Sequence, residues 1–206
     1  MLTLHFSPGA CSFVPHVALE AAKAEFEPKL VKLHRGEQRT PEYLALNPNA
    51  QVPVLVVDGK PLTQILAICE FLDGRFPDAG FLPRDAWERA QALSQLAWMN
   101  STPHTTMTRF FFPERYAESE AARQEVKQRA ARDFRGHLER LQEMLPQMRG
   151  TCHDAYAFTL LRWGGFAGVD PGSLPEYRKY VEQAMQTPAF KAALARERIT
   201  LDTYKG

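Results

Sequence analysis

Two prolines and a glycine between Pro77 and Arg84 divide the chain into stretches whose hydrophobic periods differ. Before this segment, short strand-like runs alternate with helical ones. After it, every periodic stretch is helical. That contrast restricts the fold to a small α/β unit followed by an all-helical one. The first stretch opens on Leu2-Thr3-Leu4-His5-Phe6, an alternating strand stopped by the turn residues Ser7-Pro8-Gly9. Ser12 to Ala24 predicts a helix, with Pro15 in its first turn and Val14, Val17, Ala18 and Ala21 on one face. Phe26 to Leu33 predicts a second strand. Thr40-Pro41 predicts a cap and a first helical residue, in a short helix that ends before Asn47-Pro48. Val52 to Val57 and Lys60 to Leu62 flank Asp58-Gly59, which is hairpin chemistry. Thr63 to Phe76 closes the unit as a helix with Ile65, Ile68, Cys69, Leu72 and Phe76 on one face.

Beyond the break, Trp87 to about Arg109 predicts one long helix, irregular around Pro103. Ser119 to Met148 predicts another, with an apolar stripe from Val126 through Ala130, Phe134, Leu138 and Leu141 to Leu145. Ala155 to Phe166 is nearly all apolar and predicts a buried central helix; Thr151 and Asp154 ahead of it have the spacing of a reciprocal cap. Pro175 to Met185 and Pro188 to Arg196 predict two shorter helices. The expected organisation is a domain over 1–76, a linker over 77–84 and a helical domain over 85–206, which suits 206 residues.

Composition excludes several classes. At 45% hydrophobic and 24% charged residues the chain is too apolar to be disordered. A net charge of 25 − 24 = +1 gives no field for nucleic acid or an anionic membrane. The densest apolar run, Val52 to Val57, is strand-length and far below the roughly 20 residues that span a bilayer. The N-terminus lacks a basic region before any apolar stretch, so no signal peptide is expected. Cys11, Cys69 and Cys152 are too few for a disulfide framework, and Cys152-His153 has no second pair at ligand spacing, so no metal is expected. These features imply a cytoplasmic, reducing environment.

Four positions carry possible chemistry. Cys11 follows a strand and turn at the start of a helix, where the dipole and free N–H groups favour a thiolate; a small buried residue is the other reading. Val14 stands three residues on, so there is no Cys-x-x-Cys dithiol. Val52-Pro53 opens a strand where either isomer fits, and a cis bond would turn the Val52 backbone outward to pair with an extended peptide. His104 reads either as a packed histidine or as a site residue. Phe110-Phe111-Phe112 reads as packing or as an apolar binding wall.

Ser7-Pro8-Gly9-Ala10-Cys11-Ser12, Asn47-Pro48-Asn49-Ala50-Gln51-Val52-Pro53-Val54-Leu55 and Leu62-Thr63-Gln64 with Ala67-Ile68 resemble the cytosolic glutathione transferases, the bacterial beta-type enzymes above all. Thr151 to Tyr156 and Leu160 to Trp163 resemble the capping box and core helix of that family, so the likeness runs along nearly the whole chain. The resemblance implies a thioredoxin-like α/β N-terminal domain that binds glutathione, an all-α C-terminal domain over a hydrophobic co-substrate site, and a homodimer. It places Cys11, Ser12 and His104 at the chemistry, and Arg35, Gln51, Val52, Gln64 and Ile65 at glutathione. Phe13, Met107 and Phe110 fall at the co-substrate pocket. The implied reaction is attack of the glutathione thiolate on an apolar electrophile. A thiol transferase using Cys11 as nucleophile, and a non-catalytic binding module, are the rivals. The chain departs from the family pattern at Phe6, where a tyrosine is frequent, at Ile65, where serine or glycine is frequent, at Thr105, which replaces a lysine, and at Gly150, which replaces an apolar staple residue. The branched Ile65 side chain is expected to crowd the glutamyl end of glutathione.

Overall fold

A computed structural model describes residues 1–148 and 150–202. A four-stranded sheet has the order β2-β1-β3-β4, from β1 (Leu2–Phe6), β2 (Phe26–Leu30), β3 (Val54–Val57) and β4 (Lys60–Thr63). β2 runs parallel to β1 across helix α1 (Phe13–Ala21), while β3 and β4 are antiparallel. Asp58 and Gly59 both have positive φ, as the tight turn between β3 and β4 requires. The side chains of Leu2, Leu4, Phe6 and Leu55 point to the face covered by α1 and α3 (Ile65–Arg75). On the opposite face Val54, Val52 and Val31 gather around Tyr43 of α2 (Pro41–Leu46).

The helical part comprises α4 (Ala86–Ser101), α5 (Pro103–Phe111), α6 (Glu120–Met144), α7 (Thr151–Phe166), α8 (Pro175–Ala184) and α9 (Pro188–Glu197). α7 is buried along almost its entire length, and α1 packs directly on α7 and α9. One hydrophobic cluster therefore continues from the sheet through α1 and α3 into the helices. The connecting segment takes part in it: Phe81 and Leu82 are buried, and the Leu82 N–H donates to the buried carboxylate of Asp73, which also pairs with Arg89 at 2.8 Å.

Several local expectations are corrected. The long helix expected over Trp87 to Arg109 breaks at Thr102, because Pro103 cannot donate to the preceding turn, and continues as α5. α1 ends at Ala21, and Lys23 takes a positive φ just beyond it. β2 stops at Leu30 and gives way to a 3-10 turn over Leu33–Arg35. The reciprocal cap at Thr151 and Asp154 does not form. Gly150 is the capping residue, and the Asp154 carboxylate accepts instead from the Tyr180 hydroxyl of α8 at 2.5 Å. Gly150 is needed where it stands: its φ is +100° and a Cβ would collide with the Phe81 carbonyl oxygen.

Candidate functional site

The turn from β1 into α1 is built by Ser12. Its buried hydroxyl accepts from the Ser7 N–H at 3.1 Å and donates to the Ser7 carbonyl at 3.2 Å, closing the turn on itself. The expectation that this hydroxyl faces a ligand is corrected, since its proton is spent inside the turn. Cys11 lies at the turn's end, beside the cis Val52–Pro53 bond, and its thiol donates to the Val52 carbonyl at 3.4 Å. Burial pushes the thiol up to about 12, outweighing the N–H groups of Cys11 and Ser12 that favour a thiolate. The expected help from the free backbone N–H groups is present and loses to desolvation.

The helices grip the same turn from the other side. The Gly9 N–H donates to Glu197 Oε2 at 2.8 Å, and the Gly9 carbonyl accepts from the Trp163 indole at 2.9 Å. Glu197 Oε1 lies 2.8 Å from His16 Nδ1 of α1. The Arg162 guanidinium occupies the space a Gly9 side chain would need, while its Nε donates to the Thr200 carbonyl at 2.9 Å. Glu197 is almost fully buried. Burial raises its carboxyl above the ordinary range, opposed by His16, the Gly9 N–H and Arg162.

His104 projects from the first turn of α5. Its Nδ1 is 2.6 Å from the Tyr156 hydroxyl, which donates to Asn100 Oδ1 at 3.0 Å. Burial lowers His104 to about 4, so the ring is neutral at pH 7. It stands edge-on to Trp163 with centroids 5.0 Å apart, and Trp163 in turn meets Phe111, which meets Phe166. Phe111, Phe112 and Phe166 are 36%, 38% and 43% exposed, so an aromatic wall leads outward from the Gly9 turn.

On the sheet side, the Gln51 carbonyl accepts from the Tyr43 hydroxyl and from Asn47 Nδ2, both at 2.8 Å, and this fixes the approach to Val52. Thr63 pairs with Val54, which brings Gln64 alongside Pro53 at the start of α3. Gln64 is exposed and takes a φ of +72°, a position of strain in a residue other than glycine. Among the described residues no group of three or more His, Cys, Asp or Glu could hold a metal ion, and no helix is long and apolar enough to cross a membrane.

A sequence model described as the N-terminal domain of glutathione S-transferase matches residues 2–74. A glutathione S-transferase from Xanthomonas campestris, GST-4.5, is 32% identical over 204 residues, covering 95% of this chain and 98% of its own. The chain belongs to the glutathione S-transferase family. Among solved structures, a sphingomonad glutathione S-transferase complexed with glutathione is 31% identical with a TM-score of 0.81, covering 96% of this chain and 100% of its own. A bacterial beta-class glutathione S-transferase from Sphingomonas chungbukensis is also 31% identical, with a TM-score of 0.83 and coverage of 96% and 100%.

The structure sets Cys11 against the Val52 carbonyl, with Gln51 before it and Gln64 at the start of α3, and sets His104 against Trp163, whose indole bonds the Gly9 carbonyl. Three expected residues are corrected. Phe13 is fully buried between Phe158 and Phe190, and Met107 is fully buried in α5, so neither lines an open co-substrate surface. Ile65 is 3% exposed and joins the core beneath α3, so its branched side chain does not crowd the glutamyl position; only its backbone lies at the helix start. Phe110 is partly exposed, with Lys127 Nζ 4.9 Å from its ring centroid. Arg35 is exposed at the end of its 3-10 turn. Sequence reasoning missed Glu197, Arg162, Trp163, Tyr156 and Asn100. Arg162 offered a signal: a cation inside a nearly all-apolar helix requires a buried partner.

Proposed function

We propose that this chain transfers glutathione to a hydrophobic electrophile, with the sulfur of glutathione itself as the nucleophile. The observation that carries the reading is the state of Cys11, a buried, protonated thiol that donates to the Val52 carbonyl. A thiol in that state is a neighbour and not a nucleophile, because the thiolate is the reactive form. Glutathione would lie extended along Gln51 and Val52 with its backbone paired to Val52, in the manner of an added strand. Its γ-glutamyl carboxylate would meet the free N–H groups at Gln64 and Ile65, where α3 begins. Arg35 would face the glycyl carboxylate. The electrophile would rest on the wall of Trp163, Phe111 and Phe166, with Phe110 at its margin. The unit over 1–76, the linker over 77–84 and the helical unit over 85–206 would fold as two domains and pair as a cytoplasmic homodimer.

The test is Cys11→Ala, assayed for conjugation of an aryl halide and for reduction of a glutathione mixed disulfide. Conjugation within about tenfold of the unsubstituted protein is expected, since one neutral contact is worth about 1 kcal/mol. Loss of conjugation in the folded variant would overturn the assignment in favour of a thiol transferase. Retention of neither activity by the unsubstituted protein would favour a binding module.

A further inference from the structure

The series Asn100, Tyr156 and His104 connects α4, α7 and α5, and its donors and acceptors follow from Asn100 presenting Oδ1 to the phenol. A phenol has one hydroxyl proton, and that of Tyr156 goes to Asn100 Oδ1 at 3.0 Å. The 2.6 Å contact between the Tyr156 oxygen and His104 Nδ1 is therefore made by a proton on Nδ1. His104 Nε2 is left with a lone pair. Tyr156 is fully buried, so the Nδ1 edge of the ring is held inward, and the remaining exposure of His104 belongs to its other edge. Trp163 links that ring to the Gly9 carbonyl, two residues before Cys11.

We infer that Asn100 and Tyr156 are positioning residues that hold His104 in the tautomer whose Nε2 takes the thiol proton of glutathione. The inference rests on the transfer reaction proposed above. As the S–H bond breaks, its proton forms an N–H bond at Nε2 and its electron pair stays on sulfur, which attacks the electrophile. The positive charge on the imidazole is shared through Nδ1–H with the phenol oxygen, whose own proton already points to Asn100. Nε2 then returns the proton to the departing group or to the carbon of the adduct, and the ring is neutral again. This is the division of labour of a nucleophile, a base and an orienting group, with a phenol and an amide in place of a carboxylate. Burial opposes a free imidazolium here, and a neighbouring thiolate supplies the opposite charge that favours it.

Nitrogen-15 NMR of the ligand-free protein reads the tautomer directly. A protonated Nδ1 with a bare Nε2 is expected, and a protonated Nε2 would overturn the inference. Tyr156→Phe and Asn100→Leu should each lower kcat by about tenfold, a part of the roughly 10²–10⁴-fold that a general base supplies. Both should raise the pH at which bound glutathione becomes a thiolate, and at a pH below that titration both should leave the calorimetric Kd for glutathione unchanged. Asn100→Asp keeps an acceptor oxygen in place and should restore the rate. Unaltered kcat and thiolate titration in folded Tyr156→Phe and Asn100→Leu proteins would refute the positioning role. If the unsubstituted protein binds no glutathione, the functional reading and the transfer role fall together, while the tautomer is still decided by the NMR measurement.

Discussion

Glu197→Ala should be among the most damaging single changes in this chain, although Glu197 sits nearly two hundred residues from the turn it holds. Its carboxylate accepts from the Gly9 N–H and from His16 Nδ1, each at 2.8 Å, and the charge of Arg162 favours its ionised form. Truncation would strand a buried backbone donor and a buried imidazole nitrogen at once. Each orphaned donor costs about 1–3 kcal/mol, and about twice that for the two together. These costs overlap, so we expect about 3–5 kcal/mol in total, against the 5–15 kcal/mol that typically separates folded from unfolded protein. For a chain of this size that corresponds to a fall in Tm of about 6–20 °C. Glu197→Gln keeps an acceptor for the Gly9 N–H and fills the same space, so it should cost only about 1 kcal/mol. Urea unfolding of both variants, compared at a common slope, measures the difference. An alanine cost under about 1 kcal/mol, or equal costs for alanine and glutamine, would show that the buckle on Gly9 contributes nothing to stability.

Two further outcomes follow from corrected or buried residues. Ile65→Ser should lose about 2–4 kcal/mol of stability by leaving a cavity under α3 and should leave the Kd for glutathione unchanged; tighter binding in the serine variant would mean the side chain does cover the ligand. His104 titrates at about 4 in the folded chain against an ordinary value near 6.5, so the unfolded chain binds the extra proton first; the stability present above pH 6.5 is lost progressively as pH falls towards 4. At about 1.4 kcal/mol for each pH unit of that window the loss approaches 3 kcal/mol, and a His104→Gln variant with an equally steep profile would contradict it.

The sequence carried the fold because its local signals agreed with each other. Asp58-Gly59 could only be a tight turn, Thr40-Pro41 only a helix start, and the apolar stripe of α6 only one face. The misses share one cause, which is that burial and pairing are properties of the assembled chain. Cys11 stands where the dipole argument expects a thiolate, but α7 and α9 close over the turn and desolvation wins. Ser12 looked like a free hydroxyl until Ser7 took it. Asp154 had the spacing of a cap, yet Tyr180 arrives from α8 and claims the carboxylate. Ile65 looked like an intruder in a binding site because its position along the chain is at the site, while its side chain turns into the core. Asn100 and Tyr156 are fifty-six residues apart and have no sequence signal linking them.

These pairings bear on which sulfur does the chemistry. At pH 7 a thiol pushed up to about 12 by burial is held almost entirely protonated, so the thiolate must be formed at a cost before any bond is made. A mixed-disulfide route through Cys11 would carry that cost in every turnover, and the carboxylates of bound glutathione would add to it. In the proposed reaction the sulfur of glutathione would enter without that burden, with the Nε2 of a neutral His104 as its base. The same burial that silences Cys11 thus strengthens the case for the ligand's own thiol, because both follow from the helices closing on the Gly9 turn. Cys11 keeps a role in such a site. Its S–H orients the Val52 carbonyl, the group against which the extended backbone of glutathione would align, so a cysteine can be kept at this corner for its geometry rather than its reactivity.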